Sequence, residues 1–184
     1  MRWQLFAIML TLVCPFAMSQ TDQPQQRDPA DAMRELRIRM LTTPPSEFDI
    51  RPNNAFPKVY GVLMDWPIRD MTVTIVSLSD GSASLYSTST FGVIGGIGHE
   101  SVRHAATAFV KAAEPLYSSA VPTKEYPYPK RGRVIFYLVC FDGVRVIETD
   151  EVKLTSEKDS LSDLWTKGQA VMTELRLIAQ TKSP

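Results

Sequence analysis

Residues 71–104 read MTVTIVSLSDGSASLYSTSTFGVIGGIGHESVRH, and they contain the signals of a hairpin, a loop and the start of a helix. Two strand-like segments, Met71 to Leu78 and Ala83 to Ser89, flank Asp80-Gly81, a dipeptide typical of a hairpin turn. Residues 91–104 then hold four of the nine glycines of the chain and both of its histidines. Glycines at this density predict a backbone that turns tightly or is closely approached.

A helix is predicted after this loop, from about Gly98 to Tyr117, because four apolar residues repeat at helical spacing: Val102, Ala106, Phe109 and Ala113. The same order then returns, since strands from Arg133 to Phe141 and from Val144 to Val152 flank Asp142-Gly143, and a last helix follows from about Ser160 to Gln180. With an earlier strand from Lys58 to Trp66, the sequence predicts an α+β fold. One antiparallel sheet of about five strands would carry two main helices packed on one face.

The amino-terminal part predicts an export signal, a tether and a short helix. Residues 1–19 hold Arg2, an apolar stretch and then Ala17-Met18-Ser19, so we expect a cleavable signal peptide, cleavage after Ser19 and a periplasmic or secreted protein. The apolar stretch is too short for a stable membrane span. Residues 20–27 are polar and rich in glutamine, which predicts a flexible tether, and residues 28–184 would form one α+β domain. Within it, a surface helix is expected from its cap, Asp28, to Pro44-Pro45.

Charge and cysteine content limit the classes of partner. Removing residues 1–19 takes away one basic residue and leaves 19 basic against 20 acidic residues. This balance gives no reason to expect nucleic acid or an anionic membrane as a partner. Cys140 would be the one remaining cysteine, and its strand-like surroundings predict a buried, unreactive thiol.

Several motifs together resemble a family of uncharacterised bacterial proteins across roughly residues 33–178. They are Tyr60-Gly-Val-Leu-Met-Asp65, Ser79-Asp-Gly-Ser-Ala-Ser-Leu-Tyr86, the run from Gly92 to Arg103, Arg133-Val-Ile-Phe-Tyr137 and Phe141-Asp-Gly-Val144. The resemblance implies no activity. By order of elements alone, the layout is also similar to that of the profilin, longin and roadblock group, whose folds host many functions.

The glycine run is the strongest candidate for a binding site, but it matches no phosphate-binding motif. A Walker loop needs Gly-Lys followed by Ser or Thr, and a dinucleotide fingerprint needs a third glycine and a parallel strand. What remains is a helix start beside a glycine loop, Gly92 to Gly98, which could attract a small anion. The candidate ligand-binding residues are Gly95, Gly96, Gly98, His99 and Arg103. The alternative is that the glycines only allow tight packing of the helix on the sheet.

No catalytic, metal or cofactor site is predicted. His99 and His104 lie five residues apart, about 140° around a helix, whereas zinc-binding helix motifs place two histidines four apart on one face. His104 and Glu100 are expected to form a surface pair. The serines at 82, 84, 87 and 89 lack a nucleophile elbow, and the acids Asp65, Asp70, Asp80 and Asp142 are interpreted as residues of turns and strand ends. Four aromatic residues could line a binding surface: Trp66, Phe91, Tyr126 and Tyr128.

Three functional hypotheses follow. The first is an exported, non-catalytic interaction or ligand-binding module whose partner is an unknown protein or a small anionic ligand. The second is an enzyme or specific anion binder that uses the Gly92–Gly98 loop with His99 and Arg103. The third is an envelope component that assembles through an exposed sheet edge. The sequence does not indicate an oligomeric state.

Overall fold

The computed structural model describes residues 28–89, 91–155 and 159–181. The predicted signal peptide, 1–19, and tether, 20–27, lie outside the described residues. Within the described ranges the chain is an α+β fold built on one antiparallel sheet. No helix in those ranges has both the length and the apolar character needed to cross a membrane.

In the described part of the chain the sheet has seven strands, not about five, in the order β4-β3-β2-β1-β6-β7-β5. The strands are β1 Val59–Ile68, β2 Met71–Leu78, β3 Ala83–Ser87, β4 Gly92–Val93, β5 Val121–Thr123, β6 Arg133–Cys140 and β7 Gly143–Asp150. The five longer ones are the predicted strands. The prediction missed the two edge strands because β4 has two residues, β5 has three, and Pro122 breaks the strand pattern in β5.

The two predicted hairpin turns are confirmed. In the first, Gly81 has φ +88°, a conformation that is strained for any residue with a side chain. The Asp80 carboxylate accepts a hydrogen bond of 2.8 Å from the backbone N–H of Ser82. In the second, Gly143 has φ +129° and pairs with Cys140. The Asp-Gly dipeptides therefore set the register of β2 with β3 and of β6 with β7.

Among the residues that the structure describes, four α-helices accompany the sheet: α1 Pro29–Thr42, α2 Glu100–Ala113, α3 Glu151–Leu154 and α4 Ser162–Thr181. The larger apolar core joins α2 and α4 to one face of the sheet, as predicted. Phe109 of α2 and Leu175 of α4 are buried in it with Val62 and Met64 of β1. The predicted fifth strand ends at Asp150, because Glu151 already begins α3.

The opposite face of the sheet is also covered, which the sequence analysis did not anticipate. The α1 helix begins at its predicted cap, where the Asp28 carboxylate accepts from the N–H of Ala30, and it packs on β3. A second apolar cluster forms beneath it, including Leu41, Leu63 and Tyr86. The sheet is therefore the middle of three layers, and α1 is a covering layer with a buried side.

Candidate functional site

Four of the five predicted binding residues lie in the turn between the sheet edge and α2, and the fifth, Arg103, lies in the first turn of α2. Strand β4 pairs with β3, Gly95 adopts a left-handed conformation with φ +84°, and residues Gly96–Gly98 form one turn of 3-10 helix. His99 is then the N-cap of α2. The structure thus brings Gly95, Gly96, Gly98, His99 and Arg103 to the junction that the sequence predicted for them.

The three glycines of the candidate site have different surroundings. A Cβ added to Gly96 would lie 2.6 Å from Cγ1 of Val102 and 2.8 Å from Cδ2 of Leu175, so Gly96 is buried where α2 and α4 meet the loop. A Cβ on Gly95 or Gly98 would meet nothing within 4 Å. Gly96 therefore has a packing role, while Gly95 and Gly98 face open space.

Arg103 is turned back onto the loop. Its Nη1 donates a bond of 2.7 Å to the carbonyl oxygen of Ile97, and its Cβ and Cγ lie against Gly81 of the first hairpin turn. One side chain thus joins the loop, α2 and the β2–β3 turn. This contact restrains the loop, because the guanidinium fixes a carbonyl that would otherwise face water.

The start of α2 lacks a side-chain cap, since the side chain of His99 makes no capping hydrogen bond. The first amides of the helix therefore carry the positive end of the helix dipole. Glu100 in the first turn offsets part of that charge. Glu100 also lies 3.9 Å from Nε2 of His104, so the predicted surface pair of these two residues is confirmed.

Large apolar side chains of the loop are exposed to solvent. Phe91 is 49% exposed, Ile94 59% and Ile97 45%. We call these three residues the loop surface. Ser87, buried in β3, donates its hydroxyl hydrogen to the carbonyl oxygen of Phe91 at 2.6 Å, so this end of the loop is fixed to the sheet.

A second polar cluster, which sequence reasoning missed, is buried under α1. Arg37 of α1 is 1% exposed and Asp65 of β1 is 0% exposed. The Nε and Nη2 atoms of Arg37 donate to Oδ2 of Asp65 at 3.0 and 2.5 Å, and the Thr74 hydroxyl donates to Oδ1 at 2.5 Å. The sequence-based interpretation of Asp65 as a residue of a turn or strand end is wrong. Asp65 lies instead inside the paired part of β1, opposite Thr74.

Arg37 also holds the segment between β5 and β6. Its Nη1 donates to the carbonyl oxygen of Tyr126 at 2.9 Å, and its guanidinium lies 4.2 Å from the ring centre of Tyr128. Burial lowers the pKa of Arg37, but the hydrogen bonds and charge of Asp65 outweigh this effect and raise the pKa above its ordinary value. Both ends of the pair are therefore satisfied, and the cluster joins α1, the sheet and this segment.

The sequence did carry a signal for the cluster. Met33, Arg37, Met40 and Leu41 are spaced by four, three and one residues, which places Arg37 in the middle of the apolar face of α1. Asp65 occupies an inward position two residues after Leu63. A charge at the centre of two apolar faces predicts a buried partner of opposite sign.

The other candidate aromatic residues have structural contacts. Trp66 packs edge-on against Trp165, with ring centres 4.9 Å apart, and its Nε1 donates to Glu151 at 2.9 Å. Tyr126 packs edge-on against Tyr137. Tyr128 lies against the guanidinium of Arg37. Among the described residues, Phe91 is therefore the one of the four predicted aromatic residues whose ring makes no such contact, and it is 49% exposed. Cys140 is buried as predicted, and burial raises the pKa of its thiol to about 12.

Comparison of the chain with family models, with curated proteins and with solved structures gives no match. The class that the geometry itself defines is an α+β protein whose antiparallel sheet is covered by helices on both faces. Neither the resemblance to a bacterial family nor the profilin-like layout is tested by these comparisons, and both stay predictions.

Proposed function

We propose that this protein is a non-catalytic interaction module that binds another protein through the loop surface. The observation that supports this proposal is the exposure of Phe91, Ile94 and Ile97 within seven residues. Grouped exposed apolar side chains are typical of interaction sites, because water contact with them is unfavourable and a partner removes it.

The restraint on the loop favours the same proposal. Packing at Gly96 and the bond from Arg103 to Ile97 hold the backbone before any partner is present. A surface that is already ordered loses less conformational entropy on binding. Together with the predicted export signal, this supports a partner with apolar side chains located outside the cytoplasm.

Site-specific photo-crosslinking in cells that make the protein tests the proposal. A photoreactive amino acid is placed at Ile94, and at Val152 as a matched control, because Val152 is an apolar residue of α3 that is 81% exposed. We expect a discrete crosslinked product from position 94 and none of the same size from position 152. Introducing Phe91→Ser and Ile97→Ser should abolish the product while the melting temperature changes little. The proposal would be contradicted by crosslinked products of the same size and yield from positions 94 and 152. It would also be contradicted if the product from position 94 still formed in the variant with Phe91→Ser and Ile97→Ser.

A specific anion binder remains the second candidate, because the uncapped start of α2 offers free amides near Arg103. That candidate predicts a higher melting temperature in phosphate or sulfate, lost in Arg103→Ala. We expect a shift below about 2 °C beyond that in sodium chloride of equal ionic strength, because Arg103 is already bonded to Ile97 and Glu100 repels an anion. A larger shift that Arg103→Ala removes would favour the anion binder over the interaction module.

A further inference from the structure

A cavity of about 530 Å³ opens at the side of the sheet opposite to the glycine loop. The end of α1 contributes Leu41 and Thr42 to it, the β6–β7 turn contributes Asp142, the start of β7 contributes Val144, and the segment after β5 contributes Lys124. Cavities that hold small organic molecules have volumes of roughly 300–1,000 Å³. Because β4 and β5 are opposite edges of the sheet, this cavity and the loop surface can be tested independently.

Leu41 and Thr42, the two residues of α1 that line the cavity, belong to the last turn of the helix, whose carbonyl oxygens lack partners within the helix. In a continued helix, residues 44 and 45 would donate to the carbonyl oxygens of Met40 and Leu41. Both residues are proline and have no N–H, so the helix cannot close these bonds. The carbonyl oxygens at this end also carry the negative end of the helix dipole.

Asp142 adds an ionised carboxylate to the same wall. The Tyr117 hydroxyl donates to its Oδ2 at 2.6 Å and Arg145 donates to the same atom at 3.1 Å, so Oδ1 takes neither of these bonds. These hydrogen bonds, the one from Tyr117 first, lower the pKa of Asp142. Arg145 offsets part of the charge, while the pair holds the carboxylate in place.

The remaining wall is largely apolar. Leu41 and Val144 are buried core residues whose edges reach the cavity, and Tyr126 adds an aromatic ring. Acceptors beside an aromatic and aliphatic wall suit an organic cation, since ammonium groups donate only and interact favourably with aromatic rings. Lys124 is the one lining side chain with a positive charge, and it is exposed.

We propose that this cavity binds a small organic cation, namely a primary ammonium group carried on a short apolar body. The ammonium group donates to Oδ1 of Asp142 and to carbonyl oxygens at the end of α1. The apolar body contacts Leu41, Val144 and Tyr126. Lys124 opposes this binding, because its charge has the same sign as that of the ligand.

Three probes of similar size but different charge test the proposal: phenethylammonium, the neutral 2-phenylethanol and the anionic 3-phenylpropionate. Each is titrated into the isotopically labelled protein, and the amide resonances of Thr42, Thr123 and Gly143 are followed by NMR. We expect saturable shifts with phenethylammonium and at least tenfold weaker binding of the other two probes, because they lack the charge that the acceptors recognise.

Substitutions of the two charged lining residues should change the affinity for phenethylammonium in opposite directions. Asp142→Asn should weaken phenethylammonium binding at least fivefold, and Lys124→Ala should strengthen it about two- to threefold. Asp80→Asn is the matched control, because Asp80 occupies the equivalent position in the other Asp-Gly turn, and it should leave the affinity unchanged. Lys124→Ala keeps the proposal testable even if Asp142→Asn does not fold, because the hydrogen bonds that hold Asp142 come from Tyr117 and Arg145 and not from Lys124.

Three results would overturn the proposal. The first is binding of 3-phenylpropionate as tight as that of phenethylammonium. The second is weaker phenethylammonium binding in Lys124→Ala. The third is the absence of saturable shifts at the three named amides up to roughly 10 mM phenethylammonium.

Discussion

Arg37 and Asp65 carry opposite charges into the interior of the molecule and depend on each other. Removing two charges from water is costly, and their attraction repays that cost only when the remaining polar atoms are also bonded. Here Thr74 and the carbonyl oxygen of Tyr126 complete the bonding. The pair therefore fixes the position of α1 on the sheet, because the helix must place the guanidinium of Arg37 against Asp65.

We expect Arg37→Met to lower the free energy of unfolding by about 3–5 kcal/mol, because Asp65 would stay buried without its main partner. Burial raises the pKa of this carboxyl, so the acid would have to take up a proton or remain as an unpaired buried charge. Arg34→Met is the matched control. Arg34 lies one turn earlier in α1 and pairs with Asp31 at 2.8 Å, but its side chain is exposed, so the expected change is about 0.5 kcal/mol or less. Urea denaturation of both variants gives the comparison.

The double variant Arg37→Met with Asp65→Leu separates the charge from the packing. It should be more stable than Arg37→Met alone, since no acid remains in the interior without its partner. Equal losses of stability in Arg37→Met and Arg34→Met would contradict the buried arrangement of the pair.

At the scale of elements, the glycine loop connects the sheet edge to both main helices. Its fixed point is Gly96, whose missing side chain lets the loop backbone come close to Val102 of α2, to Leu175 of α4 and to the carbonyl oxygen of Ala83. Close packing of the loop at Gly96 holds the neighbouring residues of the loop surface at the edge of the sheet. Gly98, two residues later, has no such neighbour.

Gly96→Ala should destabilise the protein by about 1–3 kcal/mol, because the added methyl group would overlap two core side chains. Gly98→Ala is the control, and it should change stability by less than about 1 kcal/mol, with stabilisation the expected sign, because its methyl group meets open space. Thermal denaturation of the two variants checks this. Equal effects would show that Gly96 is not the packing point of the loop.

The elements that were predictable from sequence are those with a repeating pattern or a specific turn residue. Five strands, two Asp-Gly turns and the helices α1, α2 and α4 were found because alternation, Gly81, Gly143 and the cap at Asp28 each have a local cause. The edge strands β4 and β5 were missed because pairing with β3 and β7 defines them, and pairing is not a local property. The candidate site behaves likewise. The sequence predicted a loop at Gly96 and a helix at Arg103, but only the tertiary structure shows that Gly96 is packed and that Arg103 bonds to Ile97.

At the scale of the whole molecule, the three layers make β1 and β6 the protected centre. Both strands have neighbours on each side and a cover on each face, so most of their residues are buried and none is exposed. Exposing them requires the loss of α1 on one side and of α2 and α4 on the other. We therefore expect these two strands to open only when the molecule unfolds as a unit.

Cys140, at the end of β6, reports on that opening. Burial raises the pKa of its thiol to about 12, so at pH 8 a far smaller fraction of the thiol is ionised in the native protein than in the unfolded chain. In protein lacking residues 1–19, labelling of Cys140 by an aromatic disulfide reagent should be at least ~100-fold slower in buffer than in urea. Ser118→Cys supplies the control, because position 118 is exposed and its thiol should react at nearly the unfolded rate in the same sample. Rapid labelling of both thiols in buffer would show that β6 is accessible in the native protein and that the layers open without global unfolding.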